Sequence, residues 1–262
     1  MMSVQNPPSN LKMEVAGFTH VGMKRSLNED SYSIAETERL FIVADGMGGH
    51  NSGEIASKVA IETVTNFFRA TSLDDDLTWP YNLDSGLSMA ENRLMVSIRL
   101  ANARIYEISR KNINFKGMGT TIVSAYLEGG TLFIGHVGDS RAYRFRQGVL
   151  TQLSEDHSLL NQTLKYRQMT DEEIAHFPQK NVIVRALGIK EDVKVDLLSH
   201  RVERGDTFLL CTDGLSGMLS DEVMQQILTE ETSLKQIGAT LIRRANEAGG
   251  NDNITTVLMH FV

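Results

Sequence analysis

The chain has 262 residues, with 26 Lys or Arg against 33 Asp or Glu, so its formal net charge is -7. This acidic balance, without a basic block, argues against nucleic acid or an anionic membrane as a partner but would attract metal cations. An apolar content of 41% is ample for the core of one large domain or two small ones.

Residues 1–10 are polar and proline-containing, and they predict a flexible leader ahead of a domain over 11–262. No stretch approaches ~18 uninterrupted apolar residues, and the start lacks the pattern of a signal peptide. The single cysteine, Cys211, cannot form an internal disulfide, and its neighbours favour a core position in a strand over a nucleophile. We therefore expect a cytoplasmic protein.

The first half of the chain predicts strands and two long helices. Strands are expected at 14–22, 31–36 and 39–45 from their β-branched, aromatic and apolar content. A helix over 52–70, capped by Ser52, follows from helical apolar spacing. A loop over 71–85 leads to an amphipathic helix over 86–110, which packs on its own sheet or offers a coiled-coil face.

The second half predicts mostly antiparallel structure. Alternating runs over 119–153, with turn signals at Gly129-Gly130 and Gln147-Gly148, indicate a meander. The polar segment 154–181 carries short helical candidates near 158–166 and 171–176. The remaining segments predict strands within 193–214, helices over 220–230 and 233–250, and a closing strand over 253–262. Because helices and strands come in blocks, we expect an α+β fold with helix-covered antiparallel sheets.

Four aspartates share one local context, a strand end beside glycine or another small residue: Asp45, Asp139, Asp213 and Asp252. If these strand ends converge, the carboxylates would repel each other severely without a counter-charge. An all-oxygen ligand set favours Mg²⁺ or Mn²⁺ over zinc. Each aspartate alone could instead cap a turn. The glycines after Asp45 would let the Gly46 carbonyl act as a further ligand and leave space for water and an oxyanion.

Eight motifs carry a family resemblance: "RSLNEDSY", "VADGMGG", "GTT", "GDSRAY", "DHSL", "RALG", "CTDGL" and "NDNIT". They occur in the order seen in the metal-dependent serine/threonine protein phosphatases of the type 2C, or PPM, family, and the chain most resembles the compact bacterial members. The resemblance implies a four-layer α-β-β-α sandwich of two antiparallel sheets. It also implies one catalytic domain over 11–262, with a flap at about 158–181 that helps to select substrates.

The resemblance further implies the ligands of two Mn²⁺ or Mg²⁺ ions. Asp45 would bridge both ions, the Gly46 carbonyl would bind one, and Asp213 and Asp252 would bind the other. The acidic pair Glu29 and Asp30 would hold metal-bound water. Many bacterial relatives bind a third ion, which would lie here between Asp139 and Asp213.

Arg25 occupies the place of the family's phosphate-binding arginine, and a guanidinium can grip two phosphate oxygens at once. A solvated surface arginine is the alternative. Arg141 is expected to pair with a carboxylate, and His136 and His157 are expected to be hydrogen-bonded framework residues. Met47 replaces the histidine that many eukaryotic members carry after the "DG" glycine and cannot donate a proton, so a metal-bound water or His50 would have to do so.

The implied activity is a phosphoprotein phosphatase that acts on phosphoserine and phosphothreonine by attack of a metal-bridging water, without a phosphoenzyme. Asp45 and Arg25 would be its catalytic residues, and its partners would be phosphorylated proteins and an opposing serine/threonine kinase in signalling. We expect a monomer. The alternatives are a catalytically silent phosphoprotein-binding module, a nuclease or a small-molecule phosphoesterase. A silent module should have lost a metal aspartate, and the acidic charge counts against a nuclease.

Overall fold

The computed structural model of the protein describes residues 11–49, 52–73, 78–179 and 182–262. The predicted leader over 1–10 lies outside these ranges. The strands are β1 (Met13–His20), β2 (Asp30–Ala35), β3 (Leu40–Met47), β4 (Gly119–Thr120), β5 (Ile122–Glu128), β6 (Thr131–Val137), β7 (Arg141–Arg146), β8 (Val149–Gln152), β9 (Asp196–Arg201), β10 (Thr207–Cys211) and β11 (Ile254–Phe261). The helices are α1 (Ser52–Leu73), α2 (Met89–Lys111), α3 (Leu159–Leu164), α4 (Asp171–Ala175), α5 (Asp213–Ser216), α6 (Asp221–Glu230) and α7 (Leu234–Glu247), and a 3-10 turn spans Ile113–Phe115.

The strands form two antiparallel sheets. The first has the order β1-β11-β10-β7-β8, and the second has the order β2-β3-β5-β6-β9, with β4 attached to β3. Phe41 and Val43 of β3 are buried with Phe208 and Leu210 of β10 in the core between the sheets. Such strands read as near-continuous apolar runs because both of their faces are covered.

Helices cover the outer face of each sheet. Buried residues of α1 and α2 form one core with Leu40 and Ile42 of β3. Residues of α5, α6 and α7 form another with Leu209 and Cys211 of β10. The α+β, four-layer α-β-β-α sandwich is thus confirmed, and α2 packs on its own sheet. None of the helices in the described ranges is long and apolar enough to cross a membrane.

Predictions at the ends of α1 and α2 were wrong. Helix α1 runs through Leu73, into the predicted loop over 71–85, because Arg93 of α2 donates hydrogen bonds to Phe68 O at 2.6 Å and Thr71 Oγ1 at 2.8 Å. Ser52 is the first residue of α1 and donates its hydroxyl to Gly49 O, rather than serving as the predicted cap. Helix α2 begins at Met89 because a capping box fixes its start.

The predicted continuous meander over 119–153 was also wrong. Strand β5 pairs with β6 and β7 pairs with β8, but β6 and β7 belong to different sheets. The chain crosses between the sheets at Gly138, whose φ of +117 favours glycine. This crossing carries Asp139 to the edge of the sandwich.

The polar segment that precedes β9 contains α3 and α4, within the ranges predicted for short helices. Its charges are engaged locally, since Lys165 pairs with Glu155 at 2.8 Å and Arg167 pairs with Glu173 at 2.6 Å. Tyr166 is 86% exposed. The segment therefore offers a polar, accessible surface held by short-range contacts.

Candidate metal centre

Five aspartates converge at one edge of the sandwich. Asp30 and Asp45 lie opposite each other on β2 and β3, so their side chains project on the same face of the second sheet. The Asp45 carboxyl interacts electrostatically with Asp30, Asp213, Asp139 and Asp252. Asp213 opens α5 directly after β10, and Asp252 lies in the turn before β11. Both sheets thus contribute carboxylates to one cluster, as expected for four of the aspartates from their local context and for Asp30 from the family resemblance.

The backbone around Asp45 is fixed by the "GTT" segment. Asp45 N donates to Thr121 Oγ1 at 3.1 Å, and Thr121 N donates back to Asp45 O at 2.9 Å. The hydroxyl of Thr120 also donates to Asp45 O, at 2.8 Å. Because β3 continues to Met47 and pairs with β4, Asp45 lies inside the strand rather than at its end.

Packing alone requires glycine at position 46, whether or not a ligand is bound. A Cβ at this position would lie 2.1 Å from Gly53 O and 2.6 Å from Glu29 O. Glu29 in turn accepts a hydrogen bond from Gly53 N through Oε1 at 3.1 Å. The absence of a side chain therefore brings the start of α1 and Glu29 close to the strand that bears Asp45.

Burial and mutual repulsion make these carboxyls hard to ionise. Burial, with the charge of Asp213 next, raises the pKa values of Asp30 and Asp139 from 3.8 to about 7, although hydroxyl donors on Asp30 oppose the shift. Burial and the charge of Asp30 raise the pKa of Asp45 well above its ordinary value, and burial and the charge of Asp252 raise the pKa of Asp213. Within the described ranges, one buried oxygen of each of Asp30, Asp139 and Asp213 accepts no hydrogen bond.

The described residues hold no three His, Cys or acidic side chains already grouped as a metal-ligand shell. One of the carboxylates contacts a cation directly. Asp252 Oδ2 accepts a hydrogen bond from Arg25 Nη2 at 2.7 Å.

Within the described ranges, Arg25 is a cation that contacts this cluster directly, through Asp252. Its hydrogen bond to Asp252 and the charges of Asp252, Glu29 and Asp45 raise the pKa of the guanidinium. The side chain is 51% exposed, so it borders both the carboxylates and solvent. An anion that reaches the cluster from solvent would meet this guanidinium.

The framework predictions for Arg141 and His157 agree with the structure. Arg141 forms a fork of hydrogen bonds to both oxygens of Asp156, the shortest at 2.7 Å. His157 accepts from Gly138 N through Nδ1 at 2.9 Å, and its Nε2 lies 3.0 Å from Asp196 Oδ2. The His136 ring stacks 4.7 Å from His157, and burial lowers its pKa to about 3, so it is neutral. Asp139 therefore lies between Gly138 and Arg141, and hydrogen bonds to His157 and Asp156 hold these residues in place.

Two supporting residues were missed by the sequence analysis, although both lie inside quoted motifs. Thr212 of "CTDGL" donates to Asp30 Oδ2 at 3.0 Å and so ties the two sheets together. Asn253 of "NDNIT" bonds to the backbone of the segment that carries Arg25. Met47 closes β3 opposite Gly119, and His50 lies outside the described residues.

Comparisons with known proteins identify the family of this chain. Residues 19–259 match the family model for protein phosphatase 2C. The serine/threonine phosphatase stp of Listeria monocytogenes is 35% identical over 248 residues, which cover 92% of this chain and 93% of that protein.

Two solved structures share the fold. The Mycobacterium tuberculosis serine/threonine phosphatase PstP/Ppp aligns with a TM-score of 0.83 and 32% identity, covering 96% of this chain and 99% of that one. The catalytic domain of the serine/threonine protein phosphatase PstP in complex with two manganese ions aligns with a TM-score of 0.80 and 33% identity, covering 97% of this chain and 100% of that one. With the family model and full-length relatives in agreement, the chain belongs to the protein phosphatase 2C family.

Proposed function

We propose that the protein is a metal-dependent phosphatase that hydrolyses phosphoserine and phosphothreonine in proteins. The observation that carries the proposal is the convergence of five aspartates beside Arg25 at one edge of the sandwich. The similarity to proteins named serine/threonine phosphatases supports the substrate class.

The carboxylate cluster fits divalent cations. Asp30, Asp139 and Asp213 each have a buried oxygen without a hydrogen bond, and the pKa values of Asp30 and Asp139 are raised. Carboxylate oxygens in this state are suited to bind a hard cation. We assign two ions to Asp45, the Gly46 carbonyl, Asp213 and Asp252, with Glu29 and Asp30 around them. The structure of PstP with two manganese ions supports Mn²⁺, and Mg²⁺ is compatible with the same donors. Asp139 and Asp213 are the proposed ligands of a third ion.

When bound, such a pair of ions acidifies and orients water and offsets charge on phosphoryl oxygens. The chain's own part is to bring the phosphate there and to hold it. The Arg25 fork would grip two phosphate oxygens while Asp252 keeps the guanidinium at the cluster. The oxygen of water bonds to phosphorus as the bond from phosphorus to the seryl or threonyl oxygen breaks. The released seryl or threonyl oxygen then takes up a proton to become a hydroxyl. Met47 cannot supply this proton.

The alternatives find less support. A silent phosphoprotein-binding module would not need the complete aspartate set that the chain keeps. A nuclease would need a basic groove for the nucleic acid backbone, whereas this site is ringed by acids. A small-molecule phosphoesterase would share the chemistry, but the relatives are named for serine and threonine. We further propose a monomer that opposes a serine/threonine kinase in the cytoplasm.

We propose that the segment 158–181 acts as a flap that selects substrates. Its exchange for the corresponding segment of the Listeria relative is expected to reorder kcat/KM across a panel of phosphopeptides, since exposed loops carry specificity. Turnover of p-nitrophenyl phosphate, which is too small to span the flap, serves as the control and should change little. An unchanged ranking of the phosphopeptides would contradict the assignment.

Asp45→Ala or Asp213→Ala is expected to lower turnover of a phosphopeptide by at least about 100-fold, because each removes a metal ligand. The assay compares phosphopeptide, p-nitrophenyl phosphate and DNA, each with Mn²⁺ and with chelator. Asp192→Ala, which removes an exposed carboxylate on the surface, is the matched control. Circular dichroism should show an intact fold, and near-normal activity of metal-saturated Asp213→Ala would count against the proposal.

Arg25→Ala is expected to raise KM for phosphopeptides and the inhibition constant of inorganic phosphate by about 10- to 100-fold, since it removes a charge-assisted hydrogen bond. Arg25→Lys should recover only part of the loss because an ammonium lacks the fork. Steady-state kinetics with phosphate as a competitive inhibitor measures both constants. If KM and the inhibition constant were unchanged, Arg25 would be a solvated surface residue and not a phosphate ligand.

In chelator, the stability of the protein is expected to fall as the pH rises from about 4 to about 7. The folded state holds protons on Asp30 and Asp139, whose pKa values rise from 3.8 to about 7, so its stability is lost as these groups ionise. Thermal melting should show a shallower pH slope for Asp139→Asn, and Mn²⁺ should raise the melting temperature most near neutral pH. Identical slopes for the wild type and Asp139→Asn would contradict the assigned cause.

A further inference from the structure

We propose that Asn253 is a positioning residue for phosphate recognition and acts through Arg25. It fastens residues 21–29, here called the Arg25 loop, to the turn that bears Asp252. The inference rests on the proposed function, because it assigns Asn253 a part in holding the phosphate-binding guanidinium.

The Asn253 carboxamide is fully used by the Arg25 loop. Its Nδ2 donates to Val21 O and to Leu27 O, both at 2.9 Å. Its Oδ1 accepts from Glu29 N at 2.7 Å. The side chain is only 5% exposed, so water cannot readily replace these bonds. One amide therefore holds both ends of a segment more than two hundred residues away in sequence.

The middle of the loop has little other support. Met23 N and Lys24 N both donate to Gly250 O, at 2.7 and 3.2 Å. Gly22 has a φ of +82, and a Cβ there would lie 2.2 Å from Asp252 O. The side chains of residues 23–26 are exposed, so apolar packing does not anchor this part of the loop. The main chain of residues 23 and 24 is held by Gly250 O, and Asn253 holds the loop on either side of them. The end of the loop is also tied to the second sheet and to α1, because Glu29 O accepts from Gly46 N and Ser57 Oγ.

This arrangement fixes the position of the Arg25 guanidinium relative to Asp252, on which phosphate binding depends. Arg25 Nη2 lies 2.7 Å from Asp252 Oδ2, and Asp252 directly precedes Asn253 in the chain. Loss of the carboxamide would leave the Val21 and Leu27 carbonyls without their donor and free the loop to move. The guanidinium would then be dispersed over several positions, so phosphate would be bound more weakly.

The test is a double-mutant cycle between Asn253 and Arg25 in the full-length Mn²⁺-loaded protein. Asn253→Ala removes the carboxamide. Asn253→Asp is nearly isosteric and keeps the acceptor for Glu29 N but cannot donate. KM for a phosphopeptide, the inhibition constant of inorganic phosphate and the Mn²⁺ concentration for half-maximal activity are measured in Arg25 and Arg25→Ala backgrounds.

Asn102→Ala is the matched control. Asn102 is equally buried and also uses one acceptor and two donors, accepting from Gly188 N at 2.9 Å and donating to Lys190 O at 3.1 Å and Glu191 O at 2.8 Å. It clamps a loop to α2 instead of to the carboxylate cluster. A general loss of stability would affect both asparagine variants alike.

We expect both Asn253 variants to raise KM and the phosphate inhibition constant by about 10-fold with Arg25 present and by less than about 2-fold in Arg25→Ala. Equal losses in both backgrounds, the same KM change in Asn102→Ala, or a changed Mn²⁺ requirement with KM and the phosphate constant unaltered would overturn the inference. If neither Asn253 variant folds, Gly22→Ala decides. This substitution displaces the same loop from Asp252 O. It must raise KM and the phosphate inhibition constant when Arg25 is present but not in Arg25→Ala. Unchanged constants would overturn the inference.

The failure of the proposed function is recognised separately. It would appear as a wild-type protein without metal-dependent phosphatase activity, or as Arg25→Ala with an unaltered KM. Either result would remove the inference together with its premise. A phosphatase with normal Arg25 dependence but additive Asn253 effects would remove the inference alone.

Discussion

Repulsion among buried carboxylates is the constraint on which the functional edge of this molecule depends. Five aspartates lie close together, and the raised pKa values of Asp30, Asp45 and Asp139 reflect the cost of charging neighbouring carboxyls that burial removes from water. Such a cluster survives only if rigid surroundings prevent it from opening. The two stacked sheets with their outer helices provide that rigidity, because each aspartate lies within, or close to the end of, a strand in a packed core.

The links between the sheets explain how the cluster keeps its shape. Thr212 follows the first sheet's β10 and bonds to Asp30 of the second, while Thr120 and Thr121 hold the main chain of Asp45. These contacts are polar and short, so they fix direction as well as distance. Arg25 is the contrasting element, because it is carried by an exposed loop and reaches the cluster from the solvent side. Rigid acids and an accessible cation give a site that can admit an anion without rearranging its donors.

Much of the fold and most of the cluster could be predicted from the sequence because their signals are local. Strands such as β3 are apolar on both faces, α2 shows its helical stripe, and an aspartate beside glycine after an apolar run marks Asp45 and Asp213 as candidates. Sheet membership was not predictable in this way, since the periodicity of β6 and β7 does not say that the chain changes sheets at Gly138. The end of α1 depends on Arg93, and the Arg25 loop depends on Asn253, and both are partners distant in sequence. The sequence around a polar side chain does not indicate which distant carbonyl will be its hydrogen-bond partner.

The central place of β11 has a consequence for how the molecule is made. This last strand lies between β1 and β10, so the first sheet stays divided until residues 254–261 take their place. Contacts this far apart in sequence form late and slowly. Asp252 and Asn253 directly precede this strand, so the carboxylate cluster and the anchorage of the Arg25 loop are complete only when β11 is in place.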